Sequence, residues 1–300
     1  MQRSALVTMF LTILMSAVAH GQGQNFDQVQ IKTTRISSNF ATLEGRGGMT
    51  GILSGPDGVF MVDTQFAPLT DKIVAAVKAI TAQPIRFVVN THLHGDHTGG
   101  NANLGAMGAM ILSHDQLRSR LAHPNPGANG QPGTPAPAAA LPMLTYDGTV
   151  TLYLNGEEVR LIPIASAHTD GDTLIQFVNN DILMVGDFYR SIQFPNIDRS
   201  NGGSLAGMLA GLATVIGTAG PDTRIIPGHG PTVDRSAVVA HRDMILDLRD
   251  KVAALVQQGK TQEEVIAANP AAAYENSVQQ IGTTRDRFIG QLYAELKAQQ

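Results

Sequence analysis

The chain has 300 residues, of which 43% are hydrophobic and 15% are charged, and its formal net charge is −4. A single domain of this length can bury a large core, and the lack of a basic excess argues against nucleic-acid binding through phosphates. There is no cysteine, so disulfides and thiolate ligands are excluded, and any metal ligand must be histidine or a carboxylate.

Residues 1–19 have the pattern of a cleaved signal peptide. Arg3 precedes an apolar run at 5–15, and the small residues of "AVA" at 17–19 form a cleavage site. The run is shorter than the about 20 apolar residues that span a bilayer. We expect cleavage after Ala19 and a periplasmic or secreted protein without membrane attachment; a retained anchor or a buried helix is the alternative.

Residues 20–300 are predicted to form one domain in which strands and helices occur in two similar successions. The first succession has its strands at 29–34, 40–45, 49–55, 58–64 and 85–92. Its first helix is predicted at 68–80, with Thr70 as the N-cap. Its second helix is predicted at 113–121, with Ser113 and Gln116 in capping-box positions.

The second succession again combines strands with helices. Its strands are predicted at 150–154, 158–164, 173–178, 182–187 and 223–230. Its helices are predicted at 204–216, 234–258, 261–268 and 283–298. Thr261 and Glu264 form a capping box at the start of one of these helices. Two such successions suit two sheets packed face to face with helices outside.

A Pro/Gly-rich segment at 123–142 separates the two successions. It contains six prolines and three glycines and is predicted to be an extended loop without helix or strand. Loops of this length are usually functional or disordered. A flap over the active site and a solvent-exposed insertion are equally consistent with this composition.

A histidine-rich motif begins where the strand at 85–92 ends. The stretch "NTHLHGDHTGG" at 90–100 holds three of the nine histidines and an aspartate within six residues. His92 and His94 can direct both imidazoles to one metal ion, while Asp96 and His97 reach a second point nearby. We estimate that such a string occurs by chance in fewer than about one in a thousand chains of this composition.

Three further candidate ligands occur in loops after predicted strands. His168 lies in "SAHTDGD", Asp187 closes "ILMVGD", and His229 lies in "IIPGHGP". A carboxylate at the end of an apolar strand is costly to bury unless a cation pairs with it. Asp170 and Asp172 are predicted either to hydrogen-bond metal-binding histidines or to cap their loop.

These motifs resemble those of the metallo-β-lactamase superfamily. "VFMVDT", "THLHGDH", "AHTDGD", "MVGD" and "PGHG" follow one another over about residues 30–300. The resemblance implies an α+β fold, an αββα sandwich of two mixed sheets packed face to face with helices on both outer sides. It implies one zinc ion on His92, His94 and His168, another on Asp96, His97 and His229, Asp187 as the bridge between them, and Asp63 as an acid that supports the ligands from behind.

The chemistry of these residue types also favours zinc, independently of the resemblance to the superfamily. Imidazoles and carboxylates bind it, and two cations about 3.5–4 Å apart share a hydroxide whose pKa falls to about 7. We expect that hydroxide to hydrolyse an acyl bond, with Asp96 orienting it and carrying its proton. Iron or manganese stays an alternative, because similar ligand sets bind those metals.

The substrate is predicted to be a small molecule with a cyclic amide or ester bond. Arg190 lies three residues after Asp187, where β-lactamases of this superfamily have a lysine that binds the substrate carboxylate. Asn201 resembles their asparagine near the lactam carbonyl. Lactonases of this superfamily tend to have a tyrosine three residues after the bridging acid. Here Tyr189 lies two residues after Asp187, which counts against a dedicated lactonase.

Three functions are consistent with these residues. The first is a β-lactamase-like, promiscuous zinc hydrolase. The second is a lactonase or other esterase, because Asp187 stands where those β-lactamases have cysteine and the ligand set is closer to that of lactonases. The third is a non-catalytic periplasmic metal-binding protein, which the presence of all seven candidate ligands disfavours.

Overall fold

The structure is a computed structural model that describes residues 25–126, 130–279 and 282–299. The predicted signal peptide at 1–19 lies outside the described residues. Within them, none of the helices combines the length and the apolar composition needed to cross a bilayer.

The first sheet has seven strands that lie side by side in chain order. They are β1 (Lys32–Arg35), β2 (Phe40–Glu44), β3 (Thr50–Gly55), β4 (Gly58–Val62), β5 (Ile85–Val89), β6 (Met110–His114) and β7 (Leu144–Tyr146). Strands β1 to β4 pair antiparallel, and β4 to β7 pair parallel. Gly55 pairs with Gly58 at the tight turn between β3 and β4.

The second sheet has five strands in the order β12-β11-β10-β9-β8. They are β8 (Val150–Leu154), β9 (Glu157–Ile164), β10 (Asp172–Phe177), β11 (Ile182–Met184) and β12 (Arg224–Ile226). Strands β11 and β12 pair parallel, and the others pair antiparallel. Asn155 and Gly156 both have positive φ, which matches the turn that Asn-Gly favours between β8 and β9.

The described helices of four or more residues are α1 (Thr70–Ile80), α2 (Gly95–Thr98), α3 (Asn101–Ala106), α4 (Asp115–Ala122), α5 (Leu205–Thr218), α6 (Arg235–Gln257), α7 (Gln262–Ala267) and α8 (Arg285–Lys297). The capping box of Thr261 and Glu264 at α7 is confirmed.

Two other predicted helix starts are wrong. Helix α4 begins after His114, whose ring nitrogen accepts the hydrogen bond of Gln116 N, because Ser113 is the fourth residue of β6. Thr70 is the first helical residue of α1 rather than its cap, and its hydroxyl donates to Ala67 O.

Three apolar clusters show how the layers are packed. One lies between the sheets and includes Phe40, Phe60 and Phe177. A second covers the outer face of the first sheet with side chains of α1 and α3, such as Val77. The third covers the outer face of the second sheet with α5, α6 and α8 and includes Phe288. The predicted αββα sandwich of two mixed sheets is confirmed.

The Pro/Gly-rich segment at 123–142 contains only a single turn of 3-10 helix, Ala138–Ala140, among its described residues. Near its start, Asn125 Nδ2 donates to Ser200 O at 2.6 Å. This end of the segment therefore lies against a loop of the second half of the chain.

Candidate metal centre

The candidate ligands lie together where strands of both sheets end. They follow β5 (His92, His94, Asp96 and His97), lie between β9 and β10 (His168), or follow β11 and β12 (Asp187 and His229). The sequence separates them by up to 137 positions, counting from His92 to His229. Face-to-face packing of the sheets brings them to one edge.

The first group of donors contains four residues whose ligand atoms all lie within 4.8 Å of one another: His92, His94, His168 and Asp187. His94 Nδ1 is 2.9 Å from His168 Nε2. Asp187 Oδ2 is 3.9 Å from the Nε2 atoms of both His92 and His168.

The second group contains Asp96, His97 and His229 at the same spacing. Asp96 Oδ2 is 3.1 Å from His229 Nε2 and 3.7 Å from His97 Nε2. Asp187 also contacts this group, since its Oδ1 lies 3.3 Å from His97 Nε2 and its Oδ2 lies 3.4 Å from His229 Nε2. Its carboxylate therefore stands between the two groups.

Hydrogen bonds determine which ring nitrogen of His94 and of His168 is available to bind a metal ion. His94 Nε2 lies 2.8 Å from Asp198 Oδ2, and His168 Nδ1 lies 2.6 Å from the carbonyl oxygen of Asn196. Both partners accept, so these two nitrogens carry the protons. The remaining nitrogens, 2.9 Å apart, then face each other with lone pairs. Two lone pairs at this distance repel unless a cation lies beside both.

Asp63 connects the two donor groups through the Nδ1 sides of their histidines. It accepts from His97 Nδ1 at 2.8 Å and from Thr91 N and Oγ1 at 2.7 Å. Thr91 Oγ1 in turn lies 3.1 Å from His92 Nδ1. The carboxylate of Asp63 thus engages Nδ1 of His97 directly and Nδ1 of His92 through Thr91. In both histidines Nε2 remains available to bind a metal ion. The backbone φ of Asp63 is 60°, which costs a non-glycine residue about 1–3 kcal/mol, and these hydrogen bonds offset that cost.

Burial sets the charge of the innermost histidines. Desolvation lowers the pKa of His168 to about 3 and that of His92 well below its usual value, so both are neutral, as metal binding requires. Burial also lowers the pKa of His97, but the carboxylates of Asp187 and Asp63 outweigh it and raise the pKa well above normal. A divalent cation would displace that proton from His97.

The donor set fits divalent cations. His92 Nε2, His97 Nε2 and Asp187 Oδ1 are buried without a hydrogen-bond partner among the described residues. An unsatisfied buried polar atom costs about 1–3 kcal/mol, and here three of them point into one place. Imidazole and carboxylate donors are those that zinc and similar transition metals bind.

Solvent reaches the centre from one side. The side chains of His94, Asp96 and His229 are 26%, 25% and 20% exposed, whereas those of His97 and Asp187 are at most 1% exposed. Burial raises the pKa of Asp96, but the hydrogen bond from His229 and the charge of His97 outweigh it and lower the pKa to about 2. Asp96 is therefore an ionised carboxylate at the open side.

Arg190 does not face this opening. Its side chain is 10% exposed, and Nε and Nη2 both donate to Asp187 Oδ2, while Nη1 donates to Gln193 and Thr283. Burial raises the pKa of Asp187, but Arg190 and the neighbouring histidines hold it well below normal. The guanidinium is committed to Asp187, so the predicted clamp on a substrate carboxylate has no support in the structure.

Asn201 is also engaged within the protein. Its Nδ2 donates to Asp198 Oδ2 at 2.7 Å, and its Oδ1 accepts from Asn125 at 3.3 Å. The amide holds Asp198 in place instead of presenting a free donor for a carbonyl. The predicted contact between Asn201 and the substrate has no support in this arrangement either.

The two aspartates after His168 have separate roles. Asp172 accepts from the backbone nitrogens of His168 and Thr169 at 2.6 and 2.9 Å, so it caps the loop, as one prediction proposed. Asp170 pairs with Arg120 at 2.6 Å and contacts neither nitrogen of the His168 ring.

Sequence reasoning missed Asp198. Its carboxylate accepts from His94, Ser200 and Asn201, which hold its pKa far below normal although burial raises it. Asp198 caps the 3-10 turn Arg199–Asn201. "DRSN" at 198–201 is an Asp-initiated turn in the sequence, but the turn signal alone does not indicate a contact with a histidine 104 positions away.

Comparison with known proteins shows the family of the chain. The family model described as the metallo-beta-lactamase superfamily matches residues 43–236, which is more than half of the chain. The chain belongs to the metallo-beta-lactamase superfamily. Its clustered His/Asp donors are candidate metal ligands within this fold.

A metallo-beta-lactamase from Pontibacter korlensis has a TM-score of 0.62 and 19% identity, covering 73% of this chain and all (100%) of that one. The inverting sec-alkylsulfatase Pisa1 from Pseudomonas sp. has a TM-score of 0.64 and 17% identity, covering 90% of this chain and 50% of that one. At these identities the likeness shows the fold alone.

A curated relative is the 2,4-dinitroanisole O-demethylase subunit alpha of Nocardioides sp. (strain JS1661). It is 28% identical over 138 residues, which are 45% of this chain and 39% of the relative. The match therefore spans well under half of that protein's length.

Proposed function

We propose that this protein is a dinuclear zinc-dependent hydrolase of cyclic amide or ester bonds, of β-lactamase type and with a broad substrate range. The observation that carries the proposal is the position of Asp187, whose two carboxylate oxygens lie 3.3–3.9 Å from histidines of both donor groups. A single cation would need only one of the groups. Two adjacent groups that share one carboxylate suit a pair of cations.

In this proposal His92, His94 and His168 would hold the first cation, Asp96, His97 and His229 would hold the second, and the carboxylate of Asp187 would be available to both. A bound metal pair supplies a water-derived nucleophile at neutral pH and polarises the acyl oxygen. Asp63 and Asp198 hold the histidine rings in orientation and keep the chosen nitrogen open.

Asp96 is the proposed proton carrier. It is the more exposed of the two carboxylates in the donor groups, and its low pKa keeps it ionised at neutral pH. An ionised carboxylate at the open side can accept a proton from the nucleophile and return it to the leaving nitrogen or oxygen. Asp187, buried and paired with Arg190, is poorly placed for this step.

Ester hydrolysis is the second candidate. The expected lactam-specific contacts were those of Arg190 and Asn201, and both side chains are hydrogen-bonded to aspartates of the protein. Without them, no contact among the described residues of the centre favours a lactam nitrogen over a lactone oxygen as the leaving group. The acyl chemistry at the metal pair is the same for both.

The test combines metal analysis with two substrates. Purified protein is stripped with a chelator, reloaded with zinc, iron or manganese, and assayed with nitrocefin and with a simple ester lactone. We expect two metal ions per chain and activity only in the reloaded protein. Well-metallated protein that hydrolyses neither substrate would contradict the proposed substrate class, and one tightly bound ion per chain would contradict the dinuclear site.

We also propose that the protein is exported and acts in the periplasm or outside the cell. The support is the charged start, the short apolar run and the small residues at 17–19. Fractionation of expressing cells and N-terminal sequencing test it. A mature protein beginning at residue 20 is expected, and an uncleaved chain in the cytoplasm would refute export.

A further inference from the structure

The loop at 45–49, between β2 and β3, lies directly against the second donor group. Gly48 N donates to Asp96 O at 3.0 Å, and Met49 N donates to Gly228 O at 2.8 Å. These two hydrogen bonds attach the loop to Asp96 itself and to the residue preceding His229. The loop is therefore a fixed wall beside the open side of the centre.

The glycines of this loop are required by its close approach. A Cβ on Gly47 would lie 2.6 Å from Asp96 O, and a Cβ on Gly48 would lie 2.0 Å from the His97 ring. A Cβ on Gly45 would lie 2.3 Å from the side chain of Gln65. In "GRGG" at 45–48, the three positions at which a Cβ would clash with neighbouring residues are thus all glycines.

Arg46 is the one residue of "GRGG" that carries a side chain. It is exposed, and it forms no hydrogen bond or ion pair with any residue in the part of the chain that the structure describes. Its Cα lies about 3.8 Å from that of Gly47, which packs on Asp96. The backbone of Arg46 is therefore fixed beside that of Asp96, at the edge of the centre, and it carries a long, exposed side chain there.

Two partly buried arginines near the centre are committed to carboxylates. Arg190 pairs with Asp187, and Arg120 pairs with Asp170. Holding an unpaired guanidinium on a rigid glycine loop gives no stability, because a solvated charge gains nothing from its position. It does provide a planar donor that grips a carboxylate or sulfate with two hydrogen bonds.

We propose that Arg46 binds an anionic group of the substrate, a carboxylate or another oxyanion away from the bond that is cleaved. The substrates are then anions that contact the metal pair with the scissile group and Arg46 with the second group. The inference rests on the proposed function, because it assigns a substrate class to the same centre.

A binding experiment tests the contact without requiring turnover. Zinc-loaded protein is titrated by calorimetry with acetate, succinate, glutarate and adipate, so that one carboxylate can occupy the metal centre and the second can reach Arg46. We expect one dicarboxylate to bind more tightly than acetate. Arg46→Ala should weaken that dicarboxylate about tenfold and leave acetate unchanged, as for one charge-assisted hydrogen-bonded contact.

Two variants sharpen the result. Arg46→Lys keeps the charge without the planar pair of donors and should recover part of the loss. Arg199→Ala removes an exposed arginine from the turn next to Asp198, on the His94 side of the centre, and should change nothing. Equal losses in Arg199→Ala and Arg46→Ala would indicate a general potential and overturn the proposal, as would unchanged dicarboxylate binding in Arg46→Ala.

Kinetics separate this inference from the proposed function. For anionic nitrocefin, Arg46→Ala should raise KM about tenfold with little change in kcat, whereas the values for a neutral lactone should stay the same. Hydrolysis of both substrates without any dependence on Arg46 would leave the proposed function intact and refute the contact. Dicarboxylate binding that depends on Arg46, without hydrolysis of either substrate, would support the contact and refute the function.

Discussion

Removing the carboxylate of Asp198 should weaken the binding of one of the two proposed metal ions. Asp198 Oδ2 lies 2.8 Å from His94 Nε2 and is the partner that keeps the proton there and leaves Nδ1 open. In Asp198→Ala the imidazole can rotate or shift its proton to Nδ1, which removes a donor from the first group only. Loss of such a supporting partner typically lowers metal affinity about 10–100-fold, or about 1.4–2.7 kcal/mol.

The assay is competition with a chromophoric zinc chelator, which resolves two affinities per chain. We expect Asp198→Ala to shift one affinity by this factor and to leave the other within about twofold, because Asp63, not Asp198, supports His97. Asp198→Asn keeps an acceptor oxygen without the charge and should lie between wild type and Asp198→Ala.

A separate measurement excludes a general loss of stability. Asp234 also caps a helix through its carboxylate, but it contacts none of the candidate ligands, so Asp234→Ala is the matched control. Urea unfolding of the metal-free variants should show similar small losses. Two unchanged zinc affinities in Asp198→Ala, or an equal loss in Asp234→Ala, would refute the role assigned to Asp198.

Three other changes give distinct readouts. His168→Ala should remove one metal ion per chain and abolish turnover; retention of both ions by elemental analysis would refute its assignment as a ligand. Gly48→Ala places a Cβ 2.0 Å from the His97 ring and should cost about 1–3 kcal/mol in urea unfolding, with lowered activity. Burial lowers the pKa of His241 from 6.5 to about 4, so wild type loses stability as pH falls through this window, by about 2 kcal/mol between about pH 8 and pH 5. In His241→Leu that part of the acid-side loss should disappear, and an unchanged pH dependence of unfolding would contradict it.

Much of the fold follows from local patterns. Period-2 and period-3.6 alternation located the strands of both hairpin regions and the long helices, because the buried face of each element repeats along its own sequence. Strands β6 and β7 were not predicted. They are short and pair parallel with strands distant in the sequence, so their hydrogen-bond partners are not visible locally.

The candidate ligands are also readable in the sequence, because their motifs follow one another in the order that the superfamily shows. The motif at 90–100 and the later His168, Asp187 and His229 specify which donors exist. The structure adds that they meet: Asp187 contacts both groups, although it lies 95 positions after His92.

What a side chain contacts was decided only by the tertiary structure. Arg190 could be read from sequence as a substrate clamp, but it pairs with Asp187, and Asn201 is occupied by Asp198. Arg46 gave no sequence signal, yet the fold leaves it exposed beside the donor groups. Composition and order fix which chemical groups are available, whereas the packing of distant segments fixes which of them are satisfied internally and which remain to bind a ligand.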